Sequence, residues 1–361
     1  MALSCGLIGL PTVGKTTFYN LLTGAGADTS RFVSGRKDTH RGTATVPDVR
    51  VDFLASRYKP RKTTYAQIEV VDVPGLTRGA GQGGEAFLAG VREVDALVYI
   101  LRAFSNPEVL HVEGSVDPWR DLRAVNLELV LADLDLAEKR RERISQAKKI
   151  KPEQEKELEI LERCIATLEA EKFLSRQEFS PEEEIIVTNL GFLTRKPVIL
   201  VVNVDETQLT SGQFPEADRL LAYATEQERP LLAISARAEA EISQLAPEDQ
   251  PAFLEDLGIA EPGLVRLARA MYQVLGLVSF FTVGEDEVKA WTIRQDTPAR
   301  KAAGKVHSDI ERGFIRAEVV GYDDLAACGS MARAREKGLV RLEGKDYLIR
   351  DGDIVHFRFN V

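Results

Sequence analysis

The sequence has little cysteine and no long apolar run. Its three cysteines, Cys5, Cys164 and Cys328, are odd in number and widely separated in a chain of 361 residues. This spacing argues against a disulfide framework or a zinc site, and it is typical of proteins in a reducing compartment. No apolar run is long enough to cross a bilayer. An apolar run already begins at Leu3, so we expect no signal peptide and a cytoplasmic protein.

Basic residues are in the minority, with 47 against 56 acidic residues and a formal net charge of −9. Any contact with a nucleic acid must therefore depend on local basic clusters, because the field of the whole protein repels polyanions. The sequence also lacks an obvious internal repeat. A chain of this length, with 44% hydrophobic residues, has room for two or three domains that each bury a core.

The most informative stretch that is present is Gly9-Leu10-Pro11-Thr12-Val13-Gly14-Lys15-Thr16, which fits the phosphate-binding loop pattern. Leu3–Ile8 predicts a buried strand before it, and Thr17–Leu22 predicts a helix after it. Such a loop turns its backbone N–H groups toward a phosphate at the positive end of the helix dipole. The alternative is a chance match in an ordinary strand–turn–helix. The predicted strand and helix in the expected places argue against it.

Two side chains of this loop carry the candidate chemistry. Lys15 would reach the β- and γ-phosphates of a bound nucleotide, and the Thr16 hydroxyl would bind Mg²⁺. A second signature follows about 55 residues later, where the predicted strand Ala66–Val71 ends in Asp72-Val73-Pro74-Gly75. The Asp72 carboxylate would hold Mg²⁺ through water, and the Gly75 N–H would meet the γ-phosphate.

Two segments suggest movement around the phosphates. We expect the polar segment Gly24–Arg50 to be a mobile loop that closes over the γ-phosphate. The glycine-rich segment Gly79–Gly84 is typical of a switch that alternates between ordered and disordered forms.

After the predicted strand Ala96–Leu101, the pattern changes to two long helices. Apolar residues recur at spacings of three and four at Leu122, Val125, Leu129, Ala132, Leu136, Leu158, Leu161, Ile165 and Leu168. These heptad seams predict an antiparallel coiled-coil hairpin with a turn near Ile150–Lys151. The basic residues of its tip are Lys139, Arg140, Arg141, Arg143, Lys148, Lys149 and Lys151. They indicate either a polyanion contact or a solvated helical face, and the sequence leaves both interpretations open.

Two later strands end in residues suited to binding a nucleotide base. Val198–Val202 runs into Asn203-Val204-Asp205-Glu206, and Leu231–Ile234 runs into Ser235-Ala236-Arg237. Ligand contacts in doubly wound sheets lie at such strand ends. We therefore expect Asn203 and Glu206 to face the base, with the backbone of Ser235, Ala236 and Arg237 supporting it.

These residues and the C-terminal stretches resemble the YchF family, a family of Obg-related P-loop NTPases, over nearly the whole chain. The matching stretches are Gly9–Thr16, Asp72–Gly75, Arg92–Ala96, Asn203–Glu206, Trp291–Ile293, Glu311–Glu318, Glu343–Tyr347 and Phe357–Val361. The resemblance implies an α/β P-loop domain, an inserted helical coiled-coil hairpin and a C-terminal α+β domain of the β-grasp TGS type. It also implies ribosome binding and ATP hydrolysis with Mg²⁺.

On this basis we expect the P-loop domain in residues 1–117 and 191–277, the hairpin in 118–190 and the TGS domain in 278–361. Within the last region, Phe280–Val283 and Val288–Ile293 flank Gly284-Glu285-Asp286 and predict a β-hairpin.

The base site departs from the guanine-specific pattern Asn-Lys-x-Asp. Glu206 is longer than Asp by a methylene and cannot pair with both guanine N–H groups without backbone movement, and Val204 replaces the Lys that lies along the base. Losing a charged acceptor would cost guanine preference about 1–3 kcal/mol per hydrogen bond. We therefore expect ATP to bind at least as well as GTP.

Hydrolysis needs a group that positions water. Leu76 stands where many GTPases place a glutamine, and it cannot orient a water molecule. The resemblance implies that His111 matches a histidine proposed for this role in the family, and histidine can exchange protons near neutral pH. The alternative is that His111 is a loop residue with no role. We expect slow intrinsic hydrolysis.

The switch regions differ from the family pattern. Gly35-Arg36-Lys37-Asp38-Thr39-His40 replaces the family's first switch motif, and Gly79–Phe87 is about three residues shorter than its second. These differences leave open a divergent paralogue with altered switching.

Three hypotheses remain at the level of sequence. They are a ribosome-associated, monomeric P-loop ATPase that acts as a switch, a nucleotide-dependent RNA- or ribosome-binding module with weak hydrolysis, and a GTP-specific GTPase.

Overall fold

The computed structural model describes residues 3–26, 39–76, 82–147, 149–246 and 248–360. Contacts between residues divide the chain into two compact units. The first unit contains Met1–Gly42 and Glu69–Leu267, and the second contains Thr43–Ile68 and Ala268–Val361. In the described ranges, no helix has the length and apolar character needed to cross a membrane.

The secondary-structure elements are as follows. The strands are β1 (Ser4–Ile8), β2 (His40–Val46), β3 (Lys62–Thr64), β4 (Ala66–Asp72), β5 (Ala96–Arg102), β6 (Val198–Asn203), β7 (Leu231–Ile234), β8 (Leu277–Val283), β9 (Glu287–Arg294), β10 (Phe314–Gly321), β11 (Arg341–Glu343) and β12 (Asp353–Phe359). The first eight helices are α1 (Lys15–Thr23), α2 (Val49–Tyr58), α3 (Gln82–Arg92), α4 (Pro118–Ser145), α5 (Pro152–Glu169), α6 (Pro181–Leu190), α7 (Glu206–Ser211) and α8 (Ala217–Glu226). The others are α9 (Ala236–Gln244), α10 (Gln250–Asp256), α11 (Gly263–Val274), α12 (Ala299–Val306), α13 (Ser308–Arg312), α14 (Tyr322–Cys328) and α15 (Met331–Glu336).

One sheet has six strands in the order β2-β4-β1-β5-β6-β7, and its strands β1, β5, β6 and β7 lie in the first unit. β4 pairs with β1, β1 with β5, β5 with β6 and β6 with β7, all in parallel. Every residue of β1, β5 and β6 is buried, as expected when both faces of a parallel sheet are covered. The register places Leu7 beside Asp72 and Asn203 beside both Arg102 and Ile234. The carboxyl ends of the strands therefore meet at one edge.

Two long helices, α4 and α5, leave this sheet after β5. Asp117 accepts a hydrogen bond from the Arg120 N–H and caps α4, whose first residue is Pro118, an arrangement that favours a helix start. The two helices pack against each other, and Arg140 on α4 pairs with Glu157 on α5 at 2.6 Å.

Buried Asp133 ties α4 to the chain that follows the helical pair. Its carboxylate accepts hydrogen bonds from the backbone N–H of Leu193 and from the N–H and hydroxyl of Thr194, at 2.7–2.9 Å. The position of α4 is therefore fixed by the segment that leads back into β6.

The second unit contains a mixed sheet in the order β11-β10-β12-β8-β9-β3. Its core is formed by Phe280, Ile293, Ala299, Ala302, Ala303, Ala317, Val319, Ile349, Val355 and Phe357. The predicted hairpin around Gly284-Glu285-Asp286 is confirmed, because β8 and β9 pair antiparallel up to Val283 opposite Val288.

The segment between the two phosphate signatures differs from the expectation. Residues 27–38 lie outside the described part of the chain. The predicted mobile loop Gly24–Arg50 was wrong at its C-terminal end, because His40–Val46 is strand β2 and α2 begins at Val49. Ala44 and Val46 are buried, so this polar-looking stretch contributes alternate residues to a core.

The compact units have other limits than the predicted domains, which stay a prediction. Thr43–Ile68 groups with the C-terminal residues, since β3 pairs with β9 and α2 contacts β8 and β9. The helices α4 and α5 group with the first unit, and the boundary near residue 267 falls inside α11.

Candidate nucleotide-binding site

The loop between β1 and α1 has the backbone of a phosphate-binding loop. Gly9, Thr12 and Gly14 have φ angles of 147°, 63° and 102°, in the region that favours glycine. A Cβ at Gly9 would lie 2.5 Å from the Ile100 carbonyl oxygen, and one at Gly14 would lie 2.5 Å from Asn203 Nδ2. Both glycines are therefore required by close contacts. Leu10, Pro11 and Val13 complete the loop, and α1 begins at Lys15, directly followed by Thr16 and Thr17.

Lys15 lies folded over the loop. Its Nζ donates hydrogen bonds to the carbonyl oxygens of Leu10 at 2.7 Å and Gly9 at 3.3 Å. Burial lowers the pKa of Lys15 to about 8, although the negative charge of Asp72 opposes the shift. Among the described residues this buried cation has no carboxylate as a hydrogen-bond partner, which suits an incoming phosphate.

Thr16 and Asp72 meet beside it. The Thr16 hydroxyl donates to Asp72 Oδ2 at 2.7 Å, while Asp72 Oδ1 is buried with no hydrogen-bond partner in the described residues. Burial raises the pKa of Asp72, and the Thr16 hydrogen bond opposes that shift. A hydroxyl and an unsatisfied carboxylate oxygen fit Mg²⁺, which prefers oxygen ligands.

Gly75 closes this side of the site. A Cβ at Gly75 would lie 3.0 Å from the Pro11 nitrogen and 3.1 Å from Lys15 Nζ, so any side chain there would be tightly crowded against the loop. The next residue, Leu76, is buried and donates its N–H to the Gly9 carbonyl at 3.0 Å.

Asn203 links three segments at the predicted base site. Its Nδ2 donates to the Val13 carbonyl at 3.0 Å, and its Oδ1 accepts from the Ala236 N–H at 3.2 Å. The hydroxyl of Ser235 accepts from the Ala238 N–H and caps α9. The structure thus brings Asn203, Ser235 and Ala236 next to the phosphate loop.

Glu206 and Arg237 lie at the exposed rim of this region. Their charged groups are 3.7 Å apart, and their side chains are 43% and 82% exposed. Val204 takes the place of the lysine that lies along the base in the guanine-specific pattern, but it is only 2% exposed and offers no apolar face to a purine. Its position directly after the buried strand β6 explains the burial.

His111 is buried away from solvent. Its Nε2 donates to Asp121 Oδ2 at 2.8 Å, and its Nδ1 accepts from the Glu113 N–H at 3.1 Å. Both ring nitrogens are therefore engaged, and neither is free to bind a water molecule in this conformation. A catalytic role for His111 remains a prediction.

The switch segments lie partly outside the described residues. This applies to Gly35–Asp38 of the first switch and to Gly79–Gly81 of the second. The described part of the first switch ends at His40, whose ring lies 6.1 Å from that of Tyr19. The described part of the second begins at Gln82, the first residue of α3.

Sequence reasoning missed the connections of the loop after β5. Gln208 Nε2 donates to the Ala103 carbonyl at 3.0 Å, and the Thr12 hydroxyl donates to the Leu110 carbonyl at 3.3 Å. These contacts join side chains to distant backbone carbonyls, and no local sequence pattern indicates them.

Comparisons with known proteins agree with this site. Residues 4–204 match a family described as 50S ribosome-binding GTPase. Residues 277–360 match the family YchF-GTPase_C, described as a protein of unknown function. The fold and the phosphate site define a P-loop nucleoside triphosphatase.

Full-length relatives identify the family. The chain is 43% identical to "Ribosome-binding ATPase YchF" of Bacillus subtilis and 39% identical to that of Escherichia coli O157:H7, with all of each chain covered. The structure of the Schizosaccharomyces pombe YchF GTPase matches with a TM-score of 0.87 and 31% identity, over 99% of this chain and 98% of that one. The chain belongs to the YchF family.

Proposed function

We propose that this protein is a Mg²⁺-dependent P-loop ATPase, able to accept GTP as well, that acts on the ribosome as a nucleotide-dependent switch. The observation that carries the proposal is the cluster of Lys15, Thr16 and Asp72. In it a buried ammonium adjoins a carboxylate oxygen that has no hydrogen-bond partner in the described part of the chain. The cluster provides a cation for the phosphates and an oxygen ligand for the metal.

Each residue has a defined task in this proposal. Lys15 leaves the carbonyls of Gly9 and Leu10 to pair with the β- and γ-phosphates, which stabilises charge developing on the γ-phosphate. Thr16 and Asp72 would hold Mg²⁺, which neutralises phosphate charge when it is bound. Gly75 brings its N–H within reach of the γ-phosphate, and Asn203 keeps the base-binding segment attached to the phosphate loop.

The proposal also includes a preference between the two purine bases, adenine and guanine. The names of the relatives disagree, because two curated relatives are called ATPases and one solved structure is called a GTPase. The outward position of Glu206, near Arg237 and half exposed, supports the view that its carboxylate does not read guanine. The same position leaves adenine without electrostatic repulsion.

A competition titration of ATP against GTP tests this preference. We expect ATP to bind at least as well as GTP, and the substitution Glu206→Asp to move the preference toward GTP. Glu241→Asp is the matched control, since Glu241 also pairs with Arg237, at 3.3 Å. GTP binding tenfold tighter than ATP in the unaltered protein, about 1.4 kcal/mol, would establish the GTP-specific alternative.

A second candidate function is a nucleotide-dependent RNA- or ribosome-binding module with weak hydrolysis. Buried Leu76 and fully hydrogen-bonded His111 favour it, because neither side chain can position water in this conformation. Turnover measured with and without ribosomes separates the two candidates. Stimulation by ribosomes that is lost in His111→Ala supports the ATPase, whereas no turnover in either condition supports the binding module.

The partner and the remaining architecture belong to the same proposal. We infer that α4 and α5 form a coiled-coil hairpin and that the C-terminal unit is a TGS domain of the β-grasp type. The protein acts as a cytoplasmic monomer that binds the ribosome or its RNA. Cosedimentation with ribosomal subunits in each nucleotide state tests this, and binding that is absent in every state would contradict it.

A further inference from the structure

The side chain of Arg102, the last residue of β5, lies in an unusual environment for an arginine. It is 2% exposed, yet no carboxylate lies within ion-pair distance of its guanidinium in the described residues. A buried cation is costly unless hydrogen bonds compensate for lost water. Arg102 therefore has to be held by its surroundings, and those surroundings are mainly backbone.

The guanidinium holds the loop that follows β5. Its Nε donates to the Phe104 carbonyl at 3.2 Å, and its Nη2 donates to the carbonyls of Val109 at 2.8 Å and Asn106 at 3.4 Å. The guanidinium carbon also lies 4.4 Å from the centre of the Phe104 ring, a cation–π distance. One side chain thus fixes three points of a six-residue stretch.

This loop leads directly to two contacts of the candidate site. Immediately after it, Leu110 accepts the hydroxyl of Thr12 from the phosphate loop, and His111 donates to Asp121 in the first turn of α4. The Asp121 carboxylate also accepts hydrogen bonds from Arg120 at 2.9 and 3.1 Å. The position of residues 104–109 therefore decides whether Leu110 and His111 can reach these partners together.

We propose that Arg102 is a positioning residue that clamps residues 104–109 and so keeps His111 against Asp121 and Leu110 against the phosphate loop. The planar guanidinium with its several N–H donors is essential to this role. A lysine offers a single nitrogen and cannot reach three carbonyls in fixed geometry. Charge alone is therefore insufficient, and Arg102→Lys releases the loop.

Acylation of histidine by diethyl pyrocarbonate, located by peptide mass spectrometry, measures this release. The side chain of His111 is 2% exposed. The side chain of His307 is 63% exposed and serves as an internal reference. Arg102→Lys should raise the acylation rate at His111 about tenfold, because lost hydrogen bonds favour local opening, and leave the rate at His307 unchanged. An unchanged rate at His111 would overturn the proposal.

Arg195→Lys is the matched control. Arg195 also lies over a phenylalanine ring, 5.1 Å from the centre of Phe179, and has a buried Nη1 without a partner in the described residues, as Arg102 does. Its ion pair is with Glu184, and it contacts no part of the 104–109 loop. Equal acceleration at His111 in both variants would indicate general loosening and overturn the proposal.

If Arg102→Lys does not fold, Phe104→Leu tests the same clamp by removing only the ring over the guanidinium. A smaller acceleration at His111 in the same direction is expected, and none would contradict the clamp.

A second readout concerns turnover and rests on the proposed ATPase function. Arg102→Lys should lower kcat about tenfold with KM within a factor of two, because the phosphate loop is intact while the adjoining loop is misplaced. Faster acylation with unchanged kcat would overturn the positioning role in the reaction. An unaltered protein without any turnover would contradict the ATPase proposal and leave the acylation result to decide on the clamp.

Discussion

At the scale of single residues, the phosphate site depends on two groups held in costly states. Lys15 is a buried ammonium bonded only to carbonyl oxygens, and Asp72 keeps one buried oxygen without a partner in the described residues. Burying such groups is unfavourable without a compensating ligand. A magnesium nucleotide would satisfy both at once, so its binding energy would compensate for the cost of burying these two groups.

Replacing Lys15 with Ala should abolish tight nucleotide binding while the fold remains intact, because the phosphate charge then lacks its buried partner. Isothermal titration with Mg-ATP measures the affinity, and circular dichroism checks the fold. Lys196→Ala is the control, since Lys196 is another lysine whose pKa burial lowers and whose Nζ donates to the carbonyls of Arg92 and Val94. Unchanged affinity in folded Lys15→Ala would reject the site assignment.

Nucleotide binding should also take up a proton at alkaline pH. Before a nucleotide binds, burial lowers the pKa of Lys15 to about 8, so above that pH most of the Lys15 amine is neutral. Phosphate oxygens favour the charged form and raise this pKa on binding, and proton uptake follows between the two values. Titrations at pH 8.5–9 in buffers of different ionisation enthalpy measure it, and uptake should be absent near pH 6.5. Equal proton exchange at both pH values would contradict this prediction.

At the scale of elements, the sequence predicted those structures whose signals are local. The strand before the phosphate loop, the strand Leu231–Ile234 and the β8–β9 hairpin all have their apolar pattern and turn residues within one stretch of chain. β2 was missed because few of its residues are apolar. α2 was missed although Val51, Leu54, Ala55 and Tyr58 recur at helical spacing. The three-residue strand β3 has no pattern of its own and depends on pairing with β9, more than 200 residues away.

The same distinction applies to the site. Lys15, Thr16 and Asp72 follow from motifs because the motif itself fixes their geometry. The burial of Val204 and the engagement of His111 by Asp121 depend on packing between segments, and a single sequence does not reveal that packing.

The charge of the helical tip provides a prediction for an element. Lys139 and Arg140 are ion-paired with Asp135 and Glu157, whereas the described residues Arg143, Lys149 and Lys151 are exposed. Lys148, also part of the predicted tip, lies outside the described residues. Changing Arg143, Lys149 and Lys151 together to Glu should weaken binding to ribosomes or RNA. It should also flatten the dependence of binding on salt, since fewer counterions are released.

Filter binding over a series of salt concentrations measures that slope. Lys156→Glu is the control, because Lys156 is an exposed base on α5 that already pairs with Glu182 and lies outside the tip. A slope that stays the same in the triple variant would favour the solvated-face interpretation.

At the scale of the whole molecule, the second unit combines two parts of the chain that are far apart in sequence, Thr43–Ile68 and Ala268–Val361. Arg50, in the segment Thr43–Ile68, forms hydrogen bonds with Asp48 at 2.8–3.1 Å and with Asp351 at 2.7 Å, and lies 5.0 Å from the centre of the Phe281 ring. Asp351 in turn accepts the Ser279 N–H at 2.8 Å. One partly buried arginine therefore joins parts of the chain that are 301 residues apart.

Arg50→Ala should destabilise the second unit by about 1–3 kcal/mol, because charge-assisted hydrogen bonds are lost and Asp351 keeps only its backbone partner. The two tryptophans lie in different units, Trp119 in the first and Trp291 in the second. In a Trp119→Phe background, fluorescence during denaturant unfolding therefore reports the second unit alone, without assuming one transition for the whole chain. Arg61→Ala is the control, since the pair of Arg61 with Asp286 is 86% and 89% exposed and exposed pairs contribute little. Equal midpoints for Arg50→Ala and Arg61→Ala would show that this arginine does not hold the unit together.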